Sequence, residues 1–122
     1  MDWSVRLAPE LVAELRKLRE PVQIELLAHA RFLARFGPQL GRPRVDTLKG
    51  SGYSNMKELR FDADNGVWRV AFAFDPHREA ILLAVGNKVG VPAARFYREL
   101  IRRADSRFAT HLGRMHPTAK RQ

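Results

Sequence analysis

Met56-Lys57-Glu58-Leu59-Arg60-Phe61-Asp62, then Ala63-Asp64-Asn65-Gly66, then Val67-Trp68-Arg69-Val70-Ala71-Phe72-Ala73-Phe74 is the stretch that decides the fold. Both outer runs alternate with period two, the spacing of a half-buried strand. In the first, Lys57, Leu59 and Phe61 share one face, and Glu58 and Arg60 the other. In the second, Trp68, Val70, Phe72 and Phe74 share one face, and Arg69, Ala71 and Ala73 the other. Asp64-Asn65-Gly66 supplies residues that tolerate positive φ, as a tight hairpin turn requires. Pairing across that turn brings Arg60 and Arg69 within a few residues of each other on the polar face.

The rest of the chain is read outward from this hairpin. Asp75-Pro76-His77 turns the chain again, and Ala80 to Val85 is apolar on both faces, which predicts a covered, central strand. Gly86 to Val91 is a glycine-containing loop that carries Lys88. Pro92 opens a last helix with Tyr97, Ile101, Ala104, Phe108 and Leu112 along one side. Arg95, Arg98 and Arg102 run along another. Upstream, Trp3, Val5 and Leu7 alternate with Ser4 and Arg6 as a short strand. Pro9 suits a first helical turn, followed by Leu11, Leu15 and Leu18. A second helix opens at Pro21, carries Val22, Leu26, Ala30 and Leu33, and stops at Gly37-Pro38. The two helices are expected to form a hairpin, with Gln39 to Arg44 a loop.

This order predicts an α+β fold: an N-terminal strand and helical hairpin, a mainly antiparallel sheet with a meander, and a C-terminal helix. Helices are expected on one face of the sheet, with the opposite face more open. Residues 1–115 read as a single domain and 116–122 as a basic tail.

Composition narrows the function. The chain has 122 residues, no cysteine and a net charge of +9. Disulfides, thiol catalysis and thiolate metal sites are excluded, and a reducing compartment fits. No apolar run approaches a membrane span, and Met1 to Arg6 has no basic region leading into an apolar one, so a cytoplasmic location is expected without membrane association. The excess charge sits in two stretches, +3 over residues 41–61 and +6 over 92–122. A polyanion, most commonly nucleic acid, accounts for that pattern; a functionally silent basic surface is the plainer alternative.

Common enzyme signatures are missing. There is no phosphate-binding glycine loop. His29, His77, His111 and His116 show no metal-ligand spacing, and Ser51, Ser54 and Ser106 lack a triad pattern, so neither metal nor cofactor is expected. Arg60 beside Arg69 repels on a bare surface and is better tolerated over an anion. A solvated sheet face with a local Glu58–Arg pair is the competing reading. A metal-free ribonuclease fits this chemistry, because RNA carries its own nucleophile in the 2′-hydroxyl. The protein then has to move protons and stabilise a dianionic phosphorane, for which guanidinium groups are suited. The basic and phenolic residues near the sheet are Lys49, Lys57, Arg60, Arg69, Lys88 and Tyr97.

Leu48-Lys49-Gly50-Ser51, Met56 to Phe61, Gly66 to Phe72, and Ala80 to Gly86 followed by Asn87-Lys88 and Phe96-Tyr97 resemble the RelE/ParE toxin superfamily over about residues 3–112. The helical hairpin and extended last helix resemble its phage-derived, HigB-like branch. The resemblance implies a toxin of a type II toxin–antitoxin system that cleaves mRNA on the ribosome. It also implies a helix-turn-helix, HigA-like antitoxin as partner. It assigns Arg69 to a phosphate-contacting position and matches Arg60 to a strand arginine. Lys57, Lys88 and Tyr97 complete the candidate catalytic set, although only one of the family's two strand lysines is present, and Tyr97 equally suits packing against Ile101. Lys49, Arg95, Arg98 and Arg102 are candidates for binding RNA or ribosome. A ParE-like gyrase poison, or a non-enzymatic basic binding module, shares much of this pattern.

Overall fold

The structure is a computed structural model that describes residues 2–115; the expected basic tail at 116–122 lies outside the described residues. The elements in chain order are β1 (Ser4–Leu7), α1 (Pro9–Leu15), α2 (Glu20–Phe36), a short 3-10 turn (Gly37–Gln39), β2 (Val45–Thr47), β3 (Lys57–Ala63), β4 (Gly66–Phe74), β5 (Glu79–Asn87) and α3 (Ala93–Met115). They form one five-stranded sheet in the order β1-β5-β4-β3-β2. β1 runs parallel to β5 and the other pairs are antiparallel.

The hairpin turn forms as its residues require: Asp64 and Asn65 both take positive φ, at 50° and 60°. β5, apolar on both faces, lies inside the sheet between β1 and β4. Proline opens α1 and lies in the first turn of α2. Gly37 ends α2 at φ 56°, where a side chain would both strain the backbone and overlap the Trp3 indole.

One strand was not foreseen and one expectation is corrected. Gln39 to Arg44 does lead out of α2 irregularly, but a further strand, β2, follows it and pairs with β3. The sheet is also covered on both faces. α2 packs on the Leu59/Phe61 side, where His29 stacks on Phe61 with ring centroids 5.1 Å apart. α3 lies on the Arg69/Ala71/Ala73 side, where Gly86 leaves room for the Phe96 ring. The small side chains of Ala71, Ala73 and Ala84 let a helix approach that face, and all three are fully buried. The buried stripe of α3 is Phe96, Leu100, Ala104 and Phe108. Tyr97, Ile101 and Leu112, expected on the stripe, are half-buried at its margin.

A register shift between Ala71 and Phe72 leaves Leu83 with no partner on β4. Among the described residues no strand lies beside the edge of β5 beyond Leu82, since β1 pairs with Glu79 to Leu82. Two α3 side chains take the carbonyls there. Arg107 donates to Leu83 O at 2.8 Å and Arg103 to Val85 O at 3.2 Å. Glu14 of α1 receives both guanidinium groups, at 2.8 and 3.2 Å.

Candidate functional site

β3 and β4 pair with Arg60 directly opposite Arg69 and Glu58 opposite Ala71. Alternation places Glu58, Arg60 and Arg69 on the face that α3 crosses. Tyr97, in the second turn of α3, reaches down to them. Its hydroxyl donates to Glu58 Oε1 at 3.0 Å. Arg69 Nε donates to the same hydroxyl at 3.4 Å and lies 3.6 Å from Glu58 Oε1. Arg69 Nη1 donates to the Trp68 carbonyl at 3.0 Å. A carboxylate, a phenol and a guanidinium thus close a triangle between β3, β4 and α3, with Glu58 6% and Arg69 7% exposed.

Burial pushes the Tyr97 hydroxyl up; Arg69 pulls it down and Glu58 pushes it up again, leaving it above its ordinary 10.0. The phenol is therefore neutral at physiological pH and acts as a donor.

Arg60 is more open, with its side chain 34% exposed. Its nearest carboxylate is Asp46 Oδ2, at 3.9 Å. Asp46 lies opposite Glu58 in the β2–β3 register. It also accepts from Thr47 N at 2.8 Å and pairs with Arg42 at 3.1 Å. The Thr47 N–H, and then Arg42, hold its carboxyl below the ordinary 3.8. Each of the two facing arginines therefore has a carboxylate of its own, which offsets their mutual repulsion.

Two open clefts meet this ridge. One, of about 370 Å³, is lined by Arg42, Asp46, Thr47, Leu48, Lys49, Glu58 and Tyr97. The other, of about 350 Å³, is lined by Pro43, Arg44, Arg60, Phe61, Asp62 and Arg69. The carboxylate–phenol pair opens on the first and the arginine pair on the second.

The structure brings Arg60, Arg69 and Tyr97 together, sets Lys88 Nζ 5.3 Å from the centre of the Tyr97 ring, and puts Lys49 in a cleft wall. Lys57 stands apart: it alternates with Leu59 and Phe61 onto the α2 side and lines neither cleft. Arg95, Arg98 and Arg102 lie on the exposed face of α3, turned away from the sheet, and Arg102 is paired with Glu99 at 2.9 Å. Asp46, Arg42 and Arg44 escaped sequence reasoning because β2 did; a three-residue strand has no periodicity to detect. Glu58 was visible as a charge partner for the arginines, but its bond to Tyr97 needed the path of α3.

This arrangement can bind a phosphate at the arginines and exchange protons through Glu58 and Tyr97. The fold itself is RelE-like. It superposes on a double-arginine mutant of E. coli toxin RelE in the free state with TM-score 0.60 and 16% identity, covering 84% of this chain and 98% of that one. A chain of the archaeal RelE–RelB complex from Pyrococcus horikoshii OT3 gives TM-score 0.53 and 19% identity, covering 75% and 100%.

Sequence relatives define the family. The model described as phage-derived protein Gp49-like matches residues 13–109. The putative toxin HigB3 of Mycobacterium tuberculosis is 38% identical over 93% of this chain and 96% of its own length. The putative toxin HigB2 of the same organism is 46% identical over 76% of this chain, a match that spans 46% of that relative's length. The chain belongs to the Gp49-like family, within the RelE/HigB-like toxin superfamily.

Proposed function

We propose that this toxin-family chain is a metal-free endoribonuclease that cuts mRNA on the ribosome and is held in check by an antitoxin. The observation that carries the reading is the Arg60–Arg69 pair placed against Glu58 and Tyr97. In this reading the scissile phosphate sits on the ridge between the two clefts, where buried Arg69 and the more open Arg60 hold its non-bridging oxygens. Their charge is worth most as the phosphorane dianion develops. Glu58 takes the 2′-hydroxyl proton as the 2′ oxygen attacks phosphorus. Tyr97, kept neutral, gives its proton to the leaving 5′ oxygen as the P–O5′ bond breaks. The Glu58–Tyr97 hydrogen bond then returns the proton to the phenol, leaving a 2′,3′-cyclic phosphate and a 5′-hydroxyl. Lys88 and Lys49 add positive potential, and Lys57 contributes to binding rather than to chemistry.

The partner reading is a helix-turn-helix antitoxin of the HigA kind. An antitoxin of some kind is supported by a structural neighbour solved as a RelE–RelB complex, and the HigA kind by the likeness to putative HigB toxins. Arg95, Arg98 and Arg102 offer an exposed cationic stripe for ribosomal RNA. Among the described residues no helix is long and apolar enough to cross a membrane.

Induction of the chain in growing cells, followed by mapping of transcript 5′ ends, tests the reading. Rapid cuts inside translated messages are expected. Intact mRNA with an SOS response would move the function to DNA gyrase, and harmless expression would reduce the chain to a binding module.

A further inference from the structure

His29, Phe32 and Phe36 follow one another along one flank of α2, at the three- and four-residue spacing that stacks side chains on a helix. The Phe36 ring lies nearly parallel to Phe32, at 15° with centroids 6.5 Å apart. Phe32 meets His29 edge-on at 6.0 Å, and His29 rests on Phe61 of β3. Phe32 and Phe36 are 37% and 47% exposed. The Arg44 guanidinium sits over the Phe32 ring, 4.2 Å from its centre.

The row has a starting point. Phe61 and Arg44 also line the cleft that contains Arg60 and Arg69. The rings therefore begin at the wall of the phosphate-binding cleft and continue outward along the helix. Arg31 and Arg35 are exposed on the same helix. Glu25, a carboxylate on this flank, lies at the His29 end of the row, 3.7 Å from His29 Nδ1 and away from Phe36.

Aromatic faces interleaved with guanidinium groups match a strand of alternating bases and phosphates. A plain apolar protein surface matches them poorly, because covering the arginines would cost their hydration. We infer that Phe32 and Phe36, supported by His29 and flanked by Arg44, are a stacking platform for bases of an unpaired RNA strand whose phosphate lies at Arg60 and Arg69. The inference rests on the ribonuclease reading and extends it to the substrate beyond the scissile bond.

The test measures binding of an unstructured, uncleavable 2′-O-methyl oligoribonucleotide and of its abasic twin, which keeps the phosphates and lacks the bases. The wild type should prefer the base-bearing strand by about tenfold or more, the scale of one stacked base. Phe32→Leu/Phe36→Leu keeps the apolar volume and removes the rings. It should bind both strands as the wild type binds the abasic one. Both phenylalanines are exposed, and an unchanged thermal midpoint checks the fold. Equal affinity of the wild type for the two strands, or an undiminished preference in the leucine variant, overturns the platform. So does loss of antitoxin binding with the RNA preference intact, which would assign the rings to a protein contact. Transcript cleavage by the wild type separates the two failures: cuts without base preference remove the platform alone, and neither cuts nor binding removes both readings.

Discussion

Arg60 and Arg69 face each other directly across the β3–β4 ladder, and they differ in their surroundings. Arg69 is locked to Tyr97, Trp68 and Glu58, whereas the Arg60 side chain, among the described residues, reaches Asp46 alone, at 3.9 Å. Their substitutions should therefore separate. Arg60→Ala should lower cleavage by about 10²–10³-fold, typical of a lost anion-stabilising donor, with stability changed by less than about 1 kcal/mol. Arg69→Ala should lower cleavage as much and also cost about 1–3 kcal/mol, because Glu58 loses a buried cation. Arg69→Lys should recover stability but not activity, since an ammonium lacks the guanidinium fork. Cleavage rates beside urea midpoints check the pattern; equal stability losses at the two positions would contradict it.

Tyr97 titrates above 10.0 through burial, with Glu58 adding to the rise and Arg69 opposing it. A group raised on folding stabilises fully below its unfolded value, and that contribution is lost as pH climbs past it. Stability should thus be insensitive to Tyr97 through neutral pH and fall above pH 10. In a Tyr53→Phe background, ultraviolet titration of the remaining phenol should show a high midpoint. Glu58→Gln should bring that midpoint down, and Arg69→Gln should push it up.

Asp75 ties the β4–β5 turn to α3. Its side chain is fully buried and lies 2.8 Å from His111 Nε2. It also accepts from His77 N at 2.9 Å and Glu79 N at 3.0 Å. Burial pushes its carboxyl up, but His111 and the two N–H groups more than offset this, leaving it below 3.8. A depressed carboxyl stabilises above its unfolded value and loses that contribution as pH falls through the folded one. Asp75→Asn should therefore flatten the acid limb of the stability curve below pH 3.8, leaving the alkaline limb unmoved. An unchanged acid limb in urea titrations would show that the pair contributes nothing.

Glu14 holds Arg103 and Arg107, and Arg107 first of all lowers its carboxyl below 4.5. Glu14→Ala should cost about 1–3 kcal/mol by leaving two half-buried guanidinium groups without their carboxylate, with only the β5 carbonyls as described acceptors. Glu14→Gln should cost less. Hydrogen exchange at α1 and along β5 should rise in the alanine variant, and protection equal to wild type would count against the tie.

What was legible followed from periodicity and turn chemistry. The alternation from Met56 to Phe74 and Asp64-Asn65-Gly66 fixed the hairpin, and with it the Arg60–Arg69 pairing. Contiguous apolar residues from Ala80 to Val85 placed β5 inside the sheet. Val45-Asp46-Thr47 was too short to show a period, so Asp46 and its neighbours stayed hidden. The covering of the polar face was missed because Arg69, Ala71 and Ala73 read as half-polar, while the alanines and Gly86 were making space for α3. The stripe of α3 holds at Ala104 and Phe108 and differs by one residue at its start, where Phe96 and Leu100 replace Tyr97 and Ile101: Phe96 and Tyr97 are adjacent aromatics, and only packing decides which of them turns inward.

Arg103 and Arg107 do for β5 what a longer β1 would otherwise do. They occupy the carbonyls of Val85 and Leu83 with charged groups that no incoming strand can mimic. An edge finished in this way offers no row of bare acceptors, so a second copy of the chain finds no template there for sheet extension. At this stretch of β5 the sheet is thereby closed to strand-by-strand addition of further copies of the chain.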